Sequence, residues 1–382
     1  MIYMDYAATT PMSDEALSAY SKAAKDYFGN EQSLHDIGSN ASTLLHICKK
    51  TFASFINGKE QGVFFTSGGS ESNCLALHSL IAAHTKKGKH IITTPIEHAS
   101  IHNYFRTLEQ HGFTVAYVPV DRYGIVDLKE LEAAITDETI IASIQHGNSE
   151  IGTCQPLQEI GAILKKYNVL FHTDCVQTFG KLPIDVQHMQ IDSLSVSSHK
   201  IYGPKGVGAC YINPQVRWKP LFAGTSHEGG FRPGTVNVPG IAAFLTAAQH
   251  IMEKREAETA RLQALRQRFI DGVQMLTHPI FVEGHPVTCL PHIAAITIKG
   301  IEGQYMVLEY NRNGIAISTG SACQITKQEP SRTLLAIGRS PEEAKQYVRF
   351  SFGKSTTEEH IDTALHVLKT IIDEFFRGAI VK

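Results

Sequence analysis

The chain has 382 residues, 43% of them hydrophobic, and a formal net charge of −2 at neutral pH. That length supports more buried core than one compact pair of layers holds, so two domains are expected. With no basic excess and no Lys/Arg block there is no electrostatic footprint for nucleic acid or an anionic membrane, and a small-molecule substrate is expected instead.

The N-terminus, Met1 to Thr10, has no basic segment leading into an apolar one, and no run reaches the roughly 18 apolar residues of a membrane span, so a cytoplasmic protein is expected. Seven cysteines, at 48, 74, 154, 175, 210, 289 and 323, are dispersed without a Cys-x-x-Cys pair. This argues against a disulfide framework or a zinc ribbon and leaves reduced thiols, one of which can be reactive.

In chain order, helical spacing covers Asp14 to Phe28 and Gly38 to Ile56, with a polar loop between them. Val63 to Thr66 reads as a short buried strand feeding the turn Ser67-Gly-Gly-Ser-Glu-Ser-Asn73, and Cys74 to Ala83 as the following helix. Such a turn offers free backbone N–H groups at the positive end of a helix, which suits a phosphate, although an ordinary capped turn reads the same way. Strands at His90–Thr94, Thr114–Val120, Ile140–Ile144 and Val169–Thr173 then alternate with helices at Ala99–His111, Leu128–Ile135 and Leu157–Tyr167. The alternation predicts an α/β architecture with a mostly parallel sheet, helices on both faces and ligands at the carboxyl ends of the strands.

Polar residues gather at those ends: Glu97-His98, His146 to Glu150, Asp174 to Gln177, and Ser197-Ser-His-Lys200. A lysine just after a strand, beside histidine and hydroxyl residues, can be held partly desolvated with a nucleophilic amine, as Schiff-base chemistry requires. Taken alone Lys200 is more simply a solvated loop cation, Asp174 a helix cap and His98 a satisfied polar group; several such clusters along one sheet edge describe a lined pocket. Val207–Ile212 reads as a returning antiparallel strand, and Gly224 to Asn237 as a long glycine-rich loop serving a site or an interface. The charge-rich run Glu253 to Arg268 reads as a helix connecting into a second domain. That domain has strands at Ile293–Ile298, Ile315–Ser318 and Val348–Phe352, helices at Gln304–Asn311 and Thr357–Phe376, and a capping box at Ser340 and Glu343.

These stretches together resemble one family, the NifS-like cysteine desulfurases of the class V aminotransferase group. The resemblance rests on Tyr3-Met-Asp-Tyr-Ala-Ala-Thr-Thr-Pro11, Thr66 to Asn73, Glu97-His-Ala-Ser100, His172-Thr-Asp-Cys-Val-Gln177, Ser198-His-Lys-Ile-Tyr-Gly-Pro-Lys-Gly206, Arg232-Pro-Gly-Thr235, Ser318-Thr-Gly-Ser-Ala-Cys323 and Arg349-Phe-Ser-Phe-Gly353. It implies a fold-type I pyridoxal 5'-phosphate enzyme, with a large domain over residues 14–256, built on a seven-stranded mostly parallel sheet. A small α+β domain would be formed by 1–13 with 257–382.

It further implies that Lys200 carries the cofactor, Asp174 pairs with its ring nitrogen, His98 stacks on the ring and assists proton transfer, and Gln177 bonds the ring oxygen. Gly69, Ser70, Ser197, His199 and, from the partner subunit of a homodimer, Thr235 would hold the phosphate. Arg349, or else Arg232, would take the substrate carboxylate, unless either is an ordinary ion pair. Cys323 would accept sulfur from L-cysteine as a persulfide and pass it to an acceptor such as an iron–sulfur scaffold, since a plain aminotransferase needs no thiol. The remaining rivals are a selenocysteine lyase, another class V reaction, and a catalytically idle scaffold for an iron–sulfur partner. Cys48, Cys74, Cys210 and Cys289 read as core residues, and strand alternation points Cys175 away from Asp174.

The chain departs from the family at Asn148-Ser149-Glu150, where Asn-Asn-Glu is common; Ser149 then occupies the position expected to contact the ring oxygen. It also has His227-Glu-Gly229 for His-Glu-Arg and Asn30-Glu31 for Asn-Pro. These departures suggest a specialised paralogue, similar to the Bacillus-type NifS-like desulfurases linked to NAD biosynthesis.

Overall fold

The computed structural model describes residues 1–320 and 330–380. Among the described residues twelve strands form three sheets: β1 (Ile2–Tyr3), β2 (Val63–Thr66), β3 (His90–Thr93), β4 (Thr114–Tyr117), β5 (Thr139–Ser143), β6 (Leu170–Asp174), β7 (Ser193–Ser197), β8 (Gly208–Ile212), β9 (Ile280–Glu283), β10 (Ile293–Ile298), β11 (Ile315–Ala316) and β12 (Tyr347–Ser351). The large sheet has the order β2-β8-β7-β6-β5-β3-β4. Its central pairings are parallel, while β8 runs antiparallel to both β7 and β2. Because β8 is the reversed strand, the ends of β2, β6 and β7 and the start of β8 all reach the same edge, where the candidate residues lie.

Most of these strands are buried along their whole length, which is why they read as continuous apolar runs. One core beneath the sheet joins Phe52, Phe171, Phe179, Leu194 and Phe244. A separate core unites Met4 with Phe269, Ile296, Phe350 and Leu368, around the three-stranded sheet β12-β10-β9. The two are linked by one helix, Val238–Gln274, 37 residues long; the expected connecting segment is its second half. The capping box at Ser340 and Glu343 is present.

Three features differ from expectation. The helix after the glycine turn begins at Gly69, not Cys74, so the turn is itself the first turn of the helix. The expected strand Ile315–Ser318 closes after Ala316, where it pairs in parallel with β1; two-residue strands carry no periodicity to read. Strand β9 and the short helix Arg332–Ala336 lay unread in segments that looked like loop.

Candidate active site

The first part of the site is an anion cradle. Helix Gly69–His84 starts with no side-chain cap, so its leading N–H groups face the cleft. That cleft, of about 380 Å³, is lined by Gly69, Ser70, Ser197, His199 and Lys205 among others. Backbone approach here depends on glycine: a Cβ on Gly208 would lie 2.7 Å from the Gly68 Cα, and one on Gly69 2.6 Å from a Val176 methyl. Ser197 Oγ is buried with no hydrogen-bond partner, an orphaned donor that a phosphate oxygen in the cleft would satisfy. His199 Nδ1 lies 3.0 Å from Thr9 Oγ1, and burial together with Lys200, Lys205 and Lys181 pushes its pKa down to about 4.

Arg232 belongs to the outside of this cradle. Its Nε donates to Glu71 at 2.8 Å, and Glu71 in turn accepts from the Ser67 N–H. Arg232 thus forms an ion pair with the first turn of the helix Gly69–His84. Thr235, three residues on, is solvent-exposed and does not line the cleft within one chain.

The second part is a fixed carboxylate. Asp174 ends β6, is 7% exposed, and accepts from Asn73 Nδ2 at 2.8 Å and from the Val176 N–H at 2.9 Å. Asn73 is held by His172 Nε2 at 3.2 Å, and His172 Nδ1 lies 3.0 Å from Ser193 Oγ. Burial lowers the His172 pKa to about 3. Such a relay of neutral groups orients a carboxylate without cancelling its charge. Sequence reading assigned no role to Asn73; its place one turn inside the helix, beneath the cradle, was the available signal.

Glu97 is a second residue to which the sequence assigns no role, although it lies in the strand-end dipeptide Glu97-His98. It is 4% exposed; its Oε1 accepts from Thr94 Oγ1 and the Gln145 N–H, while Oε2 is buried without a partner. Burial, with Asp174 nearby adding to it, pushes its carboxyl up to about 8. Glu97 is therefore mostly protonated at neutral pH.

Lys200 closes the single helical turn Ser198–Lys200 after β7. Its Nζ donates to the Ala7 carbonyl at 2.6 Å and the Ala8 carbonyl at 2.7 Å. Gln177 Nε2 donates to the same Ala7 oxygen at 3.0 Å, so the N-terminal arm brings Lys200 and Gln177 together. Gln177 Oε1 is buried and unpartnered.

His98 caps helix Ala99–Gln110 through Nδ1, which accepts from the Ser100 N–H at 3.2 Å. Its ring faces open space but has protein on most sides; that desolvation lowers its pKa, opposed by Asp174 and reinforced by Lys200. His98 thus feels both Asp174 and Lys200.

Arg349, on β12, is 2% exposed and reaches in from the second core. It donates to Asp5 Oδ1 at 2.8 Å and to the Ser149 carbonyl at 2.7 Å, leaving Nε buried and unpartnered. Asn148 is committed to its own turn, accepting from the Glu150 and Ile151 N–H groups. Of the two neighbours, Ser149 is the one whose side chain makes no such turn contact. Cys323 lies outside the described residues. Cys175 is fully buried in the core beneath the sheet, and burial pushes its thiol up to about 12, as it does for Cys48 and Cys210. Cys74 and Cys289 are partly exposed rather than core residues.

A family model for class-V aminotransferases matches residues 2–364. The chain is 46% identical over 98% of its length to a protein of Bacillus subtilis provisionally named cysteine desulfurase NifS, 95% of which is covered. It is 40% identical over 98% of its length to the cysteine desulfurase IscS of Dictyoglomus turgidum, again covering 95%. A solved structure of SspA in complex with cysteine superposes with a TM-score of 0.81 at 32% identity, over 92% of this chain and 99% of that one. Fold and site therefore define a class-V aminotransferase-type enzyme, a group whose members use pyridoxal phosphate. Within that class the chain belongs to the NifS-like cysteine desulfurases.

Proposed function

We propose that the chain binds pyridoxal 5'-phosphate at this site and, as a cytoplasmic homodimer, converts L-cysteine to L-alanine, leaving the sulfur as a persulfide on Cys323. The observation that carries the reading is the arrangement around Asp174. A buried, oriented carboxylate stands at one strand end and Lys200 at the next, and an uncapped helix start with an orphaned serine hydroxyl lies beside them.

The residues fit the cofactor. Gly69, Ser70, Ser197 and His199 would hold the phosphate, Asp174 the ring nitrogen, Gln177 and Ser149 the ring oxygen, and His98 would cover the ring; Lys200 would anchor the group covalently. When bound, pyridoxal phosphate supplies an electron sink next to the substrate Cα. The chain's own residues do the rest. Arg349, whose Nε–H is unpartnered while its other nitrogens donate to Asp5, the Ser149 carbonyl and the Gly320 carbonyl, binds the substrate carboxylate. The Lys200 amine moves the Cα proton. The Cys323 thiolate attacks the substrate sulfur; an S–S bond forms as the C–S bond breaks, its electron pair stays with carbon, and that carbon takes a proton to complete alanine.

The terminal sulfur then passes to an acceptor protein of iron–sulfur cluster assembly. Two separate cores, one over residues 45–248 and one uniting Met4 with 262–372, support a division into a large domain, 14–256, and a small one, 1–13 with 257–382. Because Thr235 is exposed and off its own chain's cleft, a contribution from it requires the partner subunit. Incubation with L-cysteine should release alanine, and sulfide in the presence of reductant, in equal amounts. Lys200→Met should release neither while remaining folded; turnover retained by that variant would overturn the reading.

A further inference from the structure

A second cavity, of about 120 Å³, shares Lys200 with the site above but none of Asp174, His98, Ser70 or Ser197. One wall is a face of helix Val238–Gln274, where Ile251, Lys254, Arg255 and Leu262 recur at helical spacing. The lining also includes the half-buried Lys181 and the buried His292.

His292 is 1% exposed, yet neither ring nitrogen has a hydrogen-bond partner. An orphaned imidazole at that depth costs free energy unless something in the cavity bonds to it. Lys181 Nζ donates to the Lys200 carbonyl at 3.2 Å, one bond for a group that offers three donors. Burial, with Lys200 adding to it, lowers its pKa to about 7.

Positive charge dominates the lining. Lys181, Lys254, Arg255 and Lys354 face the carboxylates Glu15 and Glu258, and Glu258 is already paired with Arg261 at 2.7 Å. The remaining walls are largely apolar, with Ile251, Leu262 and Phe352. An anion of purely polar surface would leave those walls wet, and an ammonium-bearing amino acid would meet the lysines unfavourably.

We propose that this cavity binds a short-chain monocarboxylate, its carboxylate on Lys181 and His292 and its apolar tail along Ile251, Leu262 and Phe352. The occupant would sit against Lys200 from a cavity separate from the phosphate cleft and therefore does not compete for it.

Calorimetric titration of the cofactor-loaded protein with propionate tests this, with propanol and sulfate as controls at matched ionic strength. Saturable binding of propionate is expected, with neither control displacing it. Lys181→Met should weaken binding about tenfold or more, the loss of one charge-assisted hydrogen bond. Should that variant fail to fold, Lys254→Glu with Arg255→Glu, on the helix surface, should weaken binding several-fold. Absence of saturable heat, an equal response to sulfate, or unchanged affinity in the folded variants would overturn the proposal. Binding is read without turnover, so such a failure leaves the desulfurase reading standing.

Discussion

Replacing Glu97 by glutamine isolates the cost of a carboxyl that the fold holds protonated. Glutamine keeps the acceptor oxygen that serves Thr94 and the Gln145 N–H, and differs at Oε2, which has no partner in the native protein. In the unfolded chain the Glu97 carboxyl titrates near 4.5, and in the folded protein near 8. Between these values the folded state binds the extra proton, so stability falls as pH rises through that window; above about 8 the cost is complete. At about 1.4 kcal/mol per tenfold change in proton affinity, full ionisation costs on the order of 4 kcal/mol, an upper bound because the site relaxes when charged. Glu97→Gln should match the wild type near pH 5 and exceed it increasingly towards pH 9, by on the order of 2–4 kcal/mol. Urea denaturation across that range measures the difference. A difference that stays flat from pH 5 to 9 would refute the burial argument and with it the claim that the fold holds Glu97 protonated.

Three further outcomes follow from the same geometry. Asp174→Asn removes the carboxylate while keeping an acceptor for Asn73, and kcat should fall at least 10- to 100-fold, since a hydrogen bond to a charged group contributes about 1.5–3 kcal/mol. Far-ultraviolet circular dichroism of that variant should be unchanged. Gly208→Ala drives a Cβ to 2.7 Å from Gly68, and overpacking of this kind costs about 1–3 kcal/mol; thermal unfolding should show the loss, with faster dissociation of cofactor on dialysis. Arg349→Lys replaces a planar fork by a single ammonium that cannot grip a carboxylate through two parallel hydrogen bonds, so KM for cysteine should rise more than kcat falls.

Much of the site was legible because strand ends are readable. Continuous apolar runs located β3, β5 and β6, and the polar residues immediately after them had to share an edge once the sheet was parallel. Asp174, His98 and Lys200 were found that way, and the one-residue alternation that turns Cys175 into the core was equally direct. What stayed hidden depends on contacts between distant segments. Nothing local shows that Asp5, at the start of the chain, would meet Arg349 near its end, or that Ala7 would offer its carbonyl to Lys200 and Gln177. Nor does the dipeptide Glu97-His98 reveal that one side chain is buried and protonated while the other faces the cleft. Burial of Glu97 and His292, and half-burial of Lys181, are set by what packs over them, and the local pattern around each is that of an ordinary polar residue.

The central claim is that Cys323 receives sulfur from L-cysteine at the Lys200 site. Mass analysis of the protein after brief reaction with L-cysteine, without reductant, measures it directly. The account predicts one added sulfur atom on the peptide containing Cys323, absent from Cys323→Ala, which should remain folded and loaded with cofactor but release no sulfide. Sulfide release by Cys323→Ala at the wild-type rate, or added sulfur on another cysteine, would contradict it.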